Sequence, residues 1–346
     1  MQNWEEWKGL VDFDDADAGT VRLVPLIYRN LLAQEVQDPL IGKLKGIYRR
    51  TWYRNQLVFH RCAAIVDLMR SKGIDAMLLK GPALVLQYYK DLGIRPMDDF
   101  DLLVRPAQAS RAIAALQESG WLLARKNSHE IEPQIPLRNS ADFTNGDRTT
   151  IDLHWNLLLG SKATDNDEEF WSRAVPVRLE DVQTLALSAE HQFFHVLAHG
   201  ARWNPLPPIR WIADAFTVLS HRKEQFDWSQ IVALTKRFEL QLSMHLMLKC
   251  LREEFEVAIP SDVIVEIASL PVTKKQQREF EAILHPKLFL GFLPAIYNDY
   301  SRRANGAGTF SRMFGFLKYM QFEWDLPTLW HLPFHAINRR LARLKN

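Results

Sequence analysis

The chain has 346 residues, 47% of them hydrophobic and 24% charged, with a formal net charge of +2. This composition excludes an intrinsically disordered chain, a collagen-like chain and a simple coiled coil. The two cysteines, Cys62 and Cys250, lie far apart in sequence, which excludes a disulfide framework and a CxxC metal knuckle and fits a reducing compartment. The small net charge leaves a nucleic-acid partner open without indicating one, because such binding depends on a local basic patch.

No segment of the sequence predicts secretion or membrane insertion. Residues 1–17 are acidic and lack the apolar core of a secretion signal. The longest apolar runs, such as 288–297, are far shorter than the ~18 residues of a spanning helix. We therefore expect a cytoplasmic protein without a transmembrane segment, and the sequence leaves its oligomeric state open.

The N-terminal segment, residues 1–74, has the periodicity of helices. Apolar residues between positions 57 and 69 fall on one stripe of a helix, and Gly73 has the character of a helix stop. The members of this stripe are Leu57, Val58, Cys62, Ile65, Leu68 and Met69.

Residues 75–187 mix short strands with short helices, which predicts a small mixed-sheet domain. The predicted strands are Ala76–Leu79, Phe100–Val104, Trp121–Ala124 and Thr149–Leu153. The predicted helices are Pro82–Tyr89 and Ala107–Gln117, with breaks at Gly93 and Pro96 between them.

From residue 188 to residue 346 the strand signals become rare, and we expect a larger helical region. The predicted helices are Ala189–Ala201, Ile209–Ser220, Trp228–Phe238, Leu242–Glu254, Asp262–Ser269 and Lys274–Leu284. The whole chain is therefore predicted to be an α+β protein, with helical segments on both sides of the small sheet.

Three aspartates carry the clearest chemical signal. Asp99 and Asp101 are two residues apart on a predicted strand, so their side chains share one face and repel each other. A divalent cation between them relieves that repulsion, and Mg²⁺ is the usual ion where phosphate is also present. Asp152 lies on another predicted strand. A pair of aspartates with this spacing is common at solvated strand edges, so the spacing alone leaves catalysis open.

A glycine turn precedes the acids. Gly81 lies between a strand and a helix, where the absence of a side chain lets a phosphate approach the backbone. Lys80 offers a point charge for a phosphate, or is a surface lysine at a strand end. Arg95 offers a second cation, or forms a salt bridge with Asp91 or Asp98. Together with the three acids, these residues fit a two-metal site for phosphoryl transfer.

These motifs in combination resemble the uncharacterised nucleotidyltransferase family of the DNA-polymerase-β superfold. The resemblance rests on Leu78–Gly81, on Arg95-Pro96-x-x-Asp99-Phe100-Asp101 and on Ile151–Trp155. It covers residues 76–155 well. It continues more weakly into the helical half through His195, His199, Trp203, Trp211 and Asp214.

The resemblance implies transfer of a nucleoside monophosphate from an NTP to a hydroxyl or phosphate of an acceptor. Asp99, Asp101 and Asp152 would be the catalytic residues and the ligands of Mg²⁺, or of Mn²⁺ in its place. Lys80, Gly81 and Arg95 would bind the nucleotide. His154 would contact the acceptor or support the acids. The acceptor implied by related families is a small molecule, a peptide or protein, or a tRNA end.

One departure from the superfold and two alternatives accompany this interpretation. Pro82 follows Gly81 where the superfold usually has Gly or Ser, and proline has no N–H to offer a phosphate. A catalytically silent nucleotide sensor of the same fold is therefore the alternative function. A zinc hydrolase is a third class, supported by the i,i+4 spacing of His191, His195 and His199. We expect that helix to pack on the catalytic domain without a metal.

Overall fold

The computed structural model describes most of the chain. The described residues are 2–13, 15–125, 127, 130–146, 149–158, 167–200, 209–221, 226–284, 293–304 and 309–343. Trp203, one of the residues that carry the weaker part of the resemblance, lies outside them.

Seven strands form one mixed sheet in the described part of the chain. They are β1 (Ala76–Leu79), β2 (Asp99–Val104), β3 (Leu122–Leu123), β4 (Ser140–Thr144), β5 (Thr150–His154), β6 (Val175–Leu179) and β7 (Val182–Ala186). Their order across the sheet is β3-β4-β5-β2-β1-β7-β6. The neighbours β2 and β5 are parallel, as are β1 and β7, whereas β1 and β2 are antiparallel. The α+β class predicted from the sequence is confirmed.

Three strands of this sheet, β4, β6 and β7, were not predicted from the sequence. β6 and β7 are joined by a tight turn at Glu180 and Asp181, in which Glu180 has a φ of 51°. Glycine or asparagine usually marks such a turn, and neither is present, so the sequence lacks a hairpin signal there. In β4, Ala141 and Phe143 are buried between less buried neighbours, but two apolar positions are too few to distinguish a strand from a loop.

Three helices precede the sheet: α1 (Gln2–Leu10), α2 (Ala18–Ala33) and α3 (Ile41–Ser71). Asp17 caps α2 by accepting hydrogen bonds from the backbone N–H groups of Gly19 and Thr20. The apolar stripe of α3 packs into the same core as Leu78 and Phe100 of the sheet, except for Leu57, which is exposed. The chain turns away from the axis of α3 at Gly73, whose φ of 64° is the left-handed conformation that ends helices.

Short helices lie between the strands. They are α4 (Lys80–Leu84), which continues as a π-helical turn (Val85–Tyr89), α5 (Ala109–Glu118) and α6 (Glu168–Ser172). Two further turns, Pro106–Gln108 and Glu132–Leu137, are 3₁₀-helical. The helix predicted at 82–89 thus begins earlier, directly after β1, and its second half is wound more widely than an α-helix.

The chain after the sheet is helical. Its helices are α7 (Ala189–Gly200), α8 (Arg210–Ser220), α9 (Trp228–Arg237), α10 (Gln241–Glu253), α11 (Ser261–Ser269), α12 (Lys274–Leu284), α13 (Leu293–Arg303), α14 (Thr309–Glu323) and α15 (His331–Arg343). The six predicted helices agree with α7–α12 to within one or two residues at each end. Within the described ranges, no helix is both long and apolar enough to cross a lipid bilayer.

The two faces of the sheet contribute to different cores. Leu78 and Phe100 share a core with α3 and α5, whereas Leu79 and Leu103 share one with the aromatic residues of α7. Asp99 and Asp101 have the same parity along β2 as Leu103. The acids therefore lie on the face that the C-terminal helices cover. The domain boundaries predicted after residues 74 and 187 stay predictions.

Candidate active site

The register of three central strands brings the acids together. Asp101 lies directly opposite Asp152 across the parallel pair β2 and β5. On its other side, Asp101 lies opposite Leu79, the last residue of β1. The residue that follows, Lys80, is therefore placed beside both aspartates.

Lys80 offsets part of the negative charge of these two acids. Its Nζ lies 2.5 Å from Asp101 Oδ1 and 3.6 Å from Asp152 Oδ2. Its backbone has a φ of 44°, in the left-handed region that favours glycine and is unfavourable for lysine. A strained backbone held beside a cluster of charge is typical of a functional site.

His154 completes the cluster. Its Nε2 lies 2.8 Å from Asp152 Oδ2 and 3.2 Å from Asp101 Oδ1. Its other ring nitrogen, Nδ1, faces the Asn139 side-chain amide at 3.5 Å. His154 lies two residues after Asp152 on β5, on the same strand face, and contacts both acids.

The charges of the cluster depend on one another. Burial acts to raise the pKa of Asp101 and of Asp152, but Lys80 and His154 hold both pKa values below their usual range. Burial acts to lower the pKa of His154, but the two carboxylates raise it to about 9. The cluster at neutral pH therefore contains two carboxylates, an imidazolium and an ammonium.

The donor set fits a divalent cation. The carboxylates of Asp101 and Asp152 and a ring nitrogen of His154 lie within 4.8 Å of one another, and no other such group is found among the described residues. As an imidazolium, His154 has no lone pair for a metal, so the two carboxylates are the donors. Asp152 Oδ1 is buried and has no hydrogen-bond partner in the described part of the chain. An orphaned carboxylate oxygen is a ready ligand for Mg²⁺, which prefers oxygen donors. The fit to a metal thus rests on this unused oxygen.

Asp99 is placed apart from this cluster. It is the exposed first residue of β2, opposite Thr150. Desolvation and the repulsion of Asp101 raise the pKa of its carboxyl group. Its place on the same face as Asp101 agrees with the sequence, and its assignment as a metal ligand stays a prediction.

A family model matches residues 17–256, more than half of the chain, and its description is uncharacterised nucleotidyltransferase. The chain belongs to this family. The resemblance that the motifs indicated is therefore confirmed. No curated protein matches the chain.

Two solved structures resemble this nucleotidyltransferase distantly. The antibiotic-resistance factor ANT(2'')-Ia is 11% identical, with a TM-score of 0.40 over 55% of this chain and 95% of that one. The lincosamide antibiotic adenylyltransferase LnuA, bound to lincomycin, is 15% identical, with a TM-score of 0.32 over 45% of this chain and 93% of that one.

Arg95 of this nucleotidyltransferase forms a buried ion pair that the sequence did not reveal. Its Nε lies 2.9 Å from Asp214 Oδ1, and its Nη2 lies 3.0 Å from Asp214 Oδ2. The Tyr89 hydroxyl donates to the same Oδ1 at 2.8 Å. Arg95 thus links the loop before β2 to α8, and its role in nucleotide binding stays a prediction.

Gly81 packs closely against Arg95 of this ion pair and against Met97. A Cβ on Gly81 would lie 2.5 Å from Met97 Sδ and 2.9 Å from Arg95 Nη1, too close for either contact. A side chain at this position would therefore push on the buried packing of Met97 and Arg95. The structure supplies a packing reason for the glycine, beside the access for phosphate that the sequence indicated.

Asp142 is a fourth acid beside the cluster, and sequence reasoning did not single it out. It lies opposite Asp152 across the antiparallel pair β4 and β5. Desolvation, followed by the repulsion of Asp152, raises the pKa of its carboxyl group to about 6. In the sequence, Asp142 stands between two apolar residues, Ala141 and Phe143. This pattern identifies the acid as a site candidate only if β4 is recognised as a strand.

The histidines of α7 are mostly core residues. His191 and His195 are buried, and desolvation lowers the pKa of His191 to about 4 and that of His195 as well. The His191 ring packs edge-on against Phe170, with ring centroids 4.7 Å apart. The helix packs on the acid-bearing face of the sheet.

Proposed function

We propose that this nucleotidyltransferase moves a nucleoside monophosphate from an NTP to a hydroxyl or phosphate oxygen of an acceptor, releasing pyrophosphate. The observation that carries the proposal is the pairing of Asp101 with Asp152 across β2 and β5, with one buried carboxylate oxygen unused. Membership of the nucleotidyltransferase family supports the reaction class.

We infer that Asp101 and Asp152 hold a divalent cation, Mg²⁺ or Mn²⁺, and that Asp99 contributes from the exposed end of β2. When bound, the cation would neutralise charge on the triphosphate and activate the acceptor hydroxyl. In a second position, a further cation would make the site a two-metal centre, for which three carboxylates on two neighbouring strands are a suitable donor set.

The remaining steps belong to the protein's own groups. The acceptor oxygen forms a bond to the α-phosphorus of the NTP, and the bond between that phosphorus and the bridging oxygen to the β-phosphorus breaks. Pyrophosphate leaves with the bond electrons. We infer that Asp152 would help to draw the proton from the acceptor hydroxyl while its unused oxygen, Oδ1, holds the cation.

Lys80 and His154 tune the charge of the two acids. In the metal-free protein they hold two adjacent carboxylates ionised, which readies the acids for a cation. The Lys80 side chain is 21% exposed, and we infer that its ammonium contacts an incoming phosphate as well as Asp101. Catalysis here depends on positioning and charge neutralisation, as phosphoryl transfer generally does.

A catalytically silent nucleotide sensor is the second candidate. The observation that favours it is the engagement of Arg95 by Asp214, which removes one cation expected at the triphosphate. Such a protein would bind an NTP with Mg²⁺ and transfer nothing.

The deciding experiment follows the label of an NTP. The protein is incubated with Mg²⁺ and each of the four NTPs, labelled at the α-phosphate or at the γ-phosphate. Acceptors are offered as small-molecule, protein and tRNA fractions of a cell extract. We expect α-label in one fraction, with release of pyrophosphate. Asp101→Asn should reduce transfer at least about 100-fold. The matched control, Asp98→Asn, alters an exposed aspartate paired with Arg54 and should retain activity.

Transfer of the γ-label would show a kinase and contradict the proposal. Binding of Mg²⁺–NTP without transfer to any fraction would favour the silent sensor. Absence of Mg²⁺-dependent NTP binding would contradict both functions.

A further inference from the structure

Arg210, the first residue of α8, lies beside the acid-bearing strand. Its Nη1 contacts the backbone carbonyl of Pro96 at 3.4 Å, three residues before Asp99. Arg210 is half-buried. The guanidinium is thus held against the segment that leads into β2, at the border between the sheet and the C-terminal helices.

The nearest carboxylate on the same helix is already occupied. Asp214 lies one turn after Arg210, on the same face of α8. Both of its oxygens accept hydrogen bonds from Arg95, and Tyr89 donates a third. Across the described ranges, no carboxylate lies within ion-pair distance of Arg210. The arginine therefore keeps its charge without a direct counter-ion in this part of the chain.

The surroundings of Arg210 are unfavourable for an unpaired cation. Desolvation, followed by the repulsion of Arg95, lowers the pKa of its guanidinium to about 10. Asp214 attracts the guanidinium, Arg22 adds repulsion, and Asp99 attracts it more weakly than Asp214 does. Placing a cation in a partly desolvated position costs free energy that a bound anion would return.

We propose that Arg210 binds a phosphate group of the NTP, so that α8 contributes an anion-binding side chain to the site on the sheet. The anion that accompanies a divalent cation at paired carboxylates is a phosphate, and a guanidinium offers it two parallel N–H donors. Because Arg210 is held against Pro96, three residues before the exposed first residue of β2, we place its ligand among the β- and γ-phosphates, which leave as pyrophosphate. This inference rests on the proposed nucleotide substrate.

The test compares ligands that differ in their number of phosphates. Affinities for each NTP, for its monophosphate and for inorganic tripolyphosphate are measured by calorimetric titration with Mg²⁺. Arg210→Met should weaken binding of the NTP and of tripolyphosphate about 10- to 100-fold. It should change the affinity for the monophosphate less than about threefold. The matched control is Arg178→Met, at an exposed arginine on β6 that pairs with Asp181, and it should change none of these affinities.

The outcomes separate this inference from the proposed function. If the wild-type protein binds neither an NTP nor tripolyphosphate, the proposed function fails, and the inference fails with it. If the wild-type protein binds the NTP and Arg210→Met binds it equally well, the role of Arg210 is wrong while the proposed function stands. An equal loss for the monophosphate and the NTP would indicate a structural role and would also overturn the inference.

A second variant guards against a folding defect. Thermal unfolding should give Arg210→Met nearly the wild-type melting temperature, because its side chain makes no ion pair with the described residues. If that variant does not fold, Arg210→Lys decides. It keeps the charge but loses the paired donors, so NTP affinity should fall by about threefold to tenfold while monophosphate affinity is retained. Unchanged NTP affinity in this variant would contradict the proposal.

Discussion

Both oxygens of Asp214 accept hydrogen bonds, whereas Asp152 keeps one buried oxygen without a partner among the described residues. The two aspartates belong to clusters of buried charge near Gly81. In one cluster, Arg95 meets Asp214 with two parallel hydrogen bonds. In the other, two carboxylates share one ammonium and one imidazolium at less regular distances.

This difference distinguishes a structural ion pair from a binding site. A satisfied bidentate pair links two segments and has little capacity for another ligand. Adjacent acids with an unused oxygen retain that capacity, and the lysine side chain beside them is partly exposed. The same physical terms, desolvation and opposite charge, thus give two roles according to whether every donor and acceptor is used.

Removal of one charge from the satisfied pair should have the largest effect on stability. Asp214→Asn leaves Arg95 buried without a counter-ion, so we expect a loss of about 3–5 kcal/mol in the free energy of unfolding. Urea unfolding measures it. Asp181→Asn, at an exposed ion pair, should lose no more than about 1 kcal/mol. An equal small loss in both variants would show that the buried pair contributes little.

The acid cluster should make the free energy of unfolding depend on pH. The pKa of His154 is raised from 6.5 to about 9. Its ion pairs therefore stabilise the fold fully below pH 6.5, and this contribution is lost as the pH rises through about 9. Relative to His154→Gln, the wild-type protein should be more stable by roughly 2–3 kcal/mol at about pH 6 and by much less at about pH 10.

Unfolding of both proteins in urea, with a chelator to remove metal, measures this difference. His60→Gln is the matched control, because His60 is an exposed histidine on α3 whose ring faces a single carboxylate, that of Glu180. A stability difference between wild type and His154→Gln that is the same at both pH values would contradict the charged state assigned to the cluster.

The smallest expected effect is that of replacing Lys80 on ligand affinity. The affinity should change in opposite directions for a metal ion and for a nucleotide. Lys80→Met removes the ammonium from Asp101, so the acids should bind Mn²⁺ about tenfold more tightly. The same variant should bind Mg²⁺–NTP more weakly, since a phosphate contact is lost. Calorimetric titration measures both. Lys72→Met, which removes an exposed lysine paired with Glu118, should leave both affinities unchanged. Unchanged Mn²⁺ affinity in Lys80→Met would show that the lysine does not compete with a metal.

The acids could be found from the sequence because their signal is local. Alternation along 99–104 places Asp99 and Asp101 on one face, and the neighbouring apolar residues identify that face. The strand bearing Asp152 was predicted for the same reason. The register between these strands was not available, because nothing near either strand specifies which residues lie opposite each other.

The partner of Arg95 illustrates the limit of such reasoning. Asp91 and Asp98 were the candidates by proximity in sequence, whereas the partner, Asp214, lies 119 residues away. Asp98 instead pairs with Arg54, and Asp91 accepts a hydrogen bond from Tyr48. Arg210 gave no sequence signal for a similar reason, since its position depends on how α8 packs beside the sheet.

The parallel pairing of β2 with β5 has a consequence for folding. The pairing joins segments about 50 residues apart, and it brings Asp101 and Asp152 face to face. Loop closure over that distance and repulsion between the carboxylates both oppose this step. Lys80, directly after β1, and His154, on β5, offset that repulsion in the folded sheet. The same residues that keep the acids ionised therefore also lower the free-energy cost of pairing the central strands.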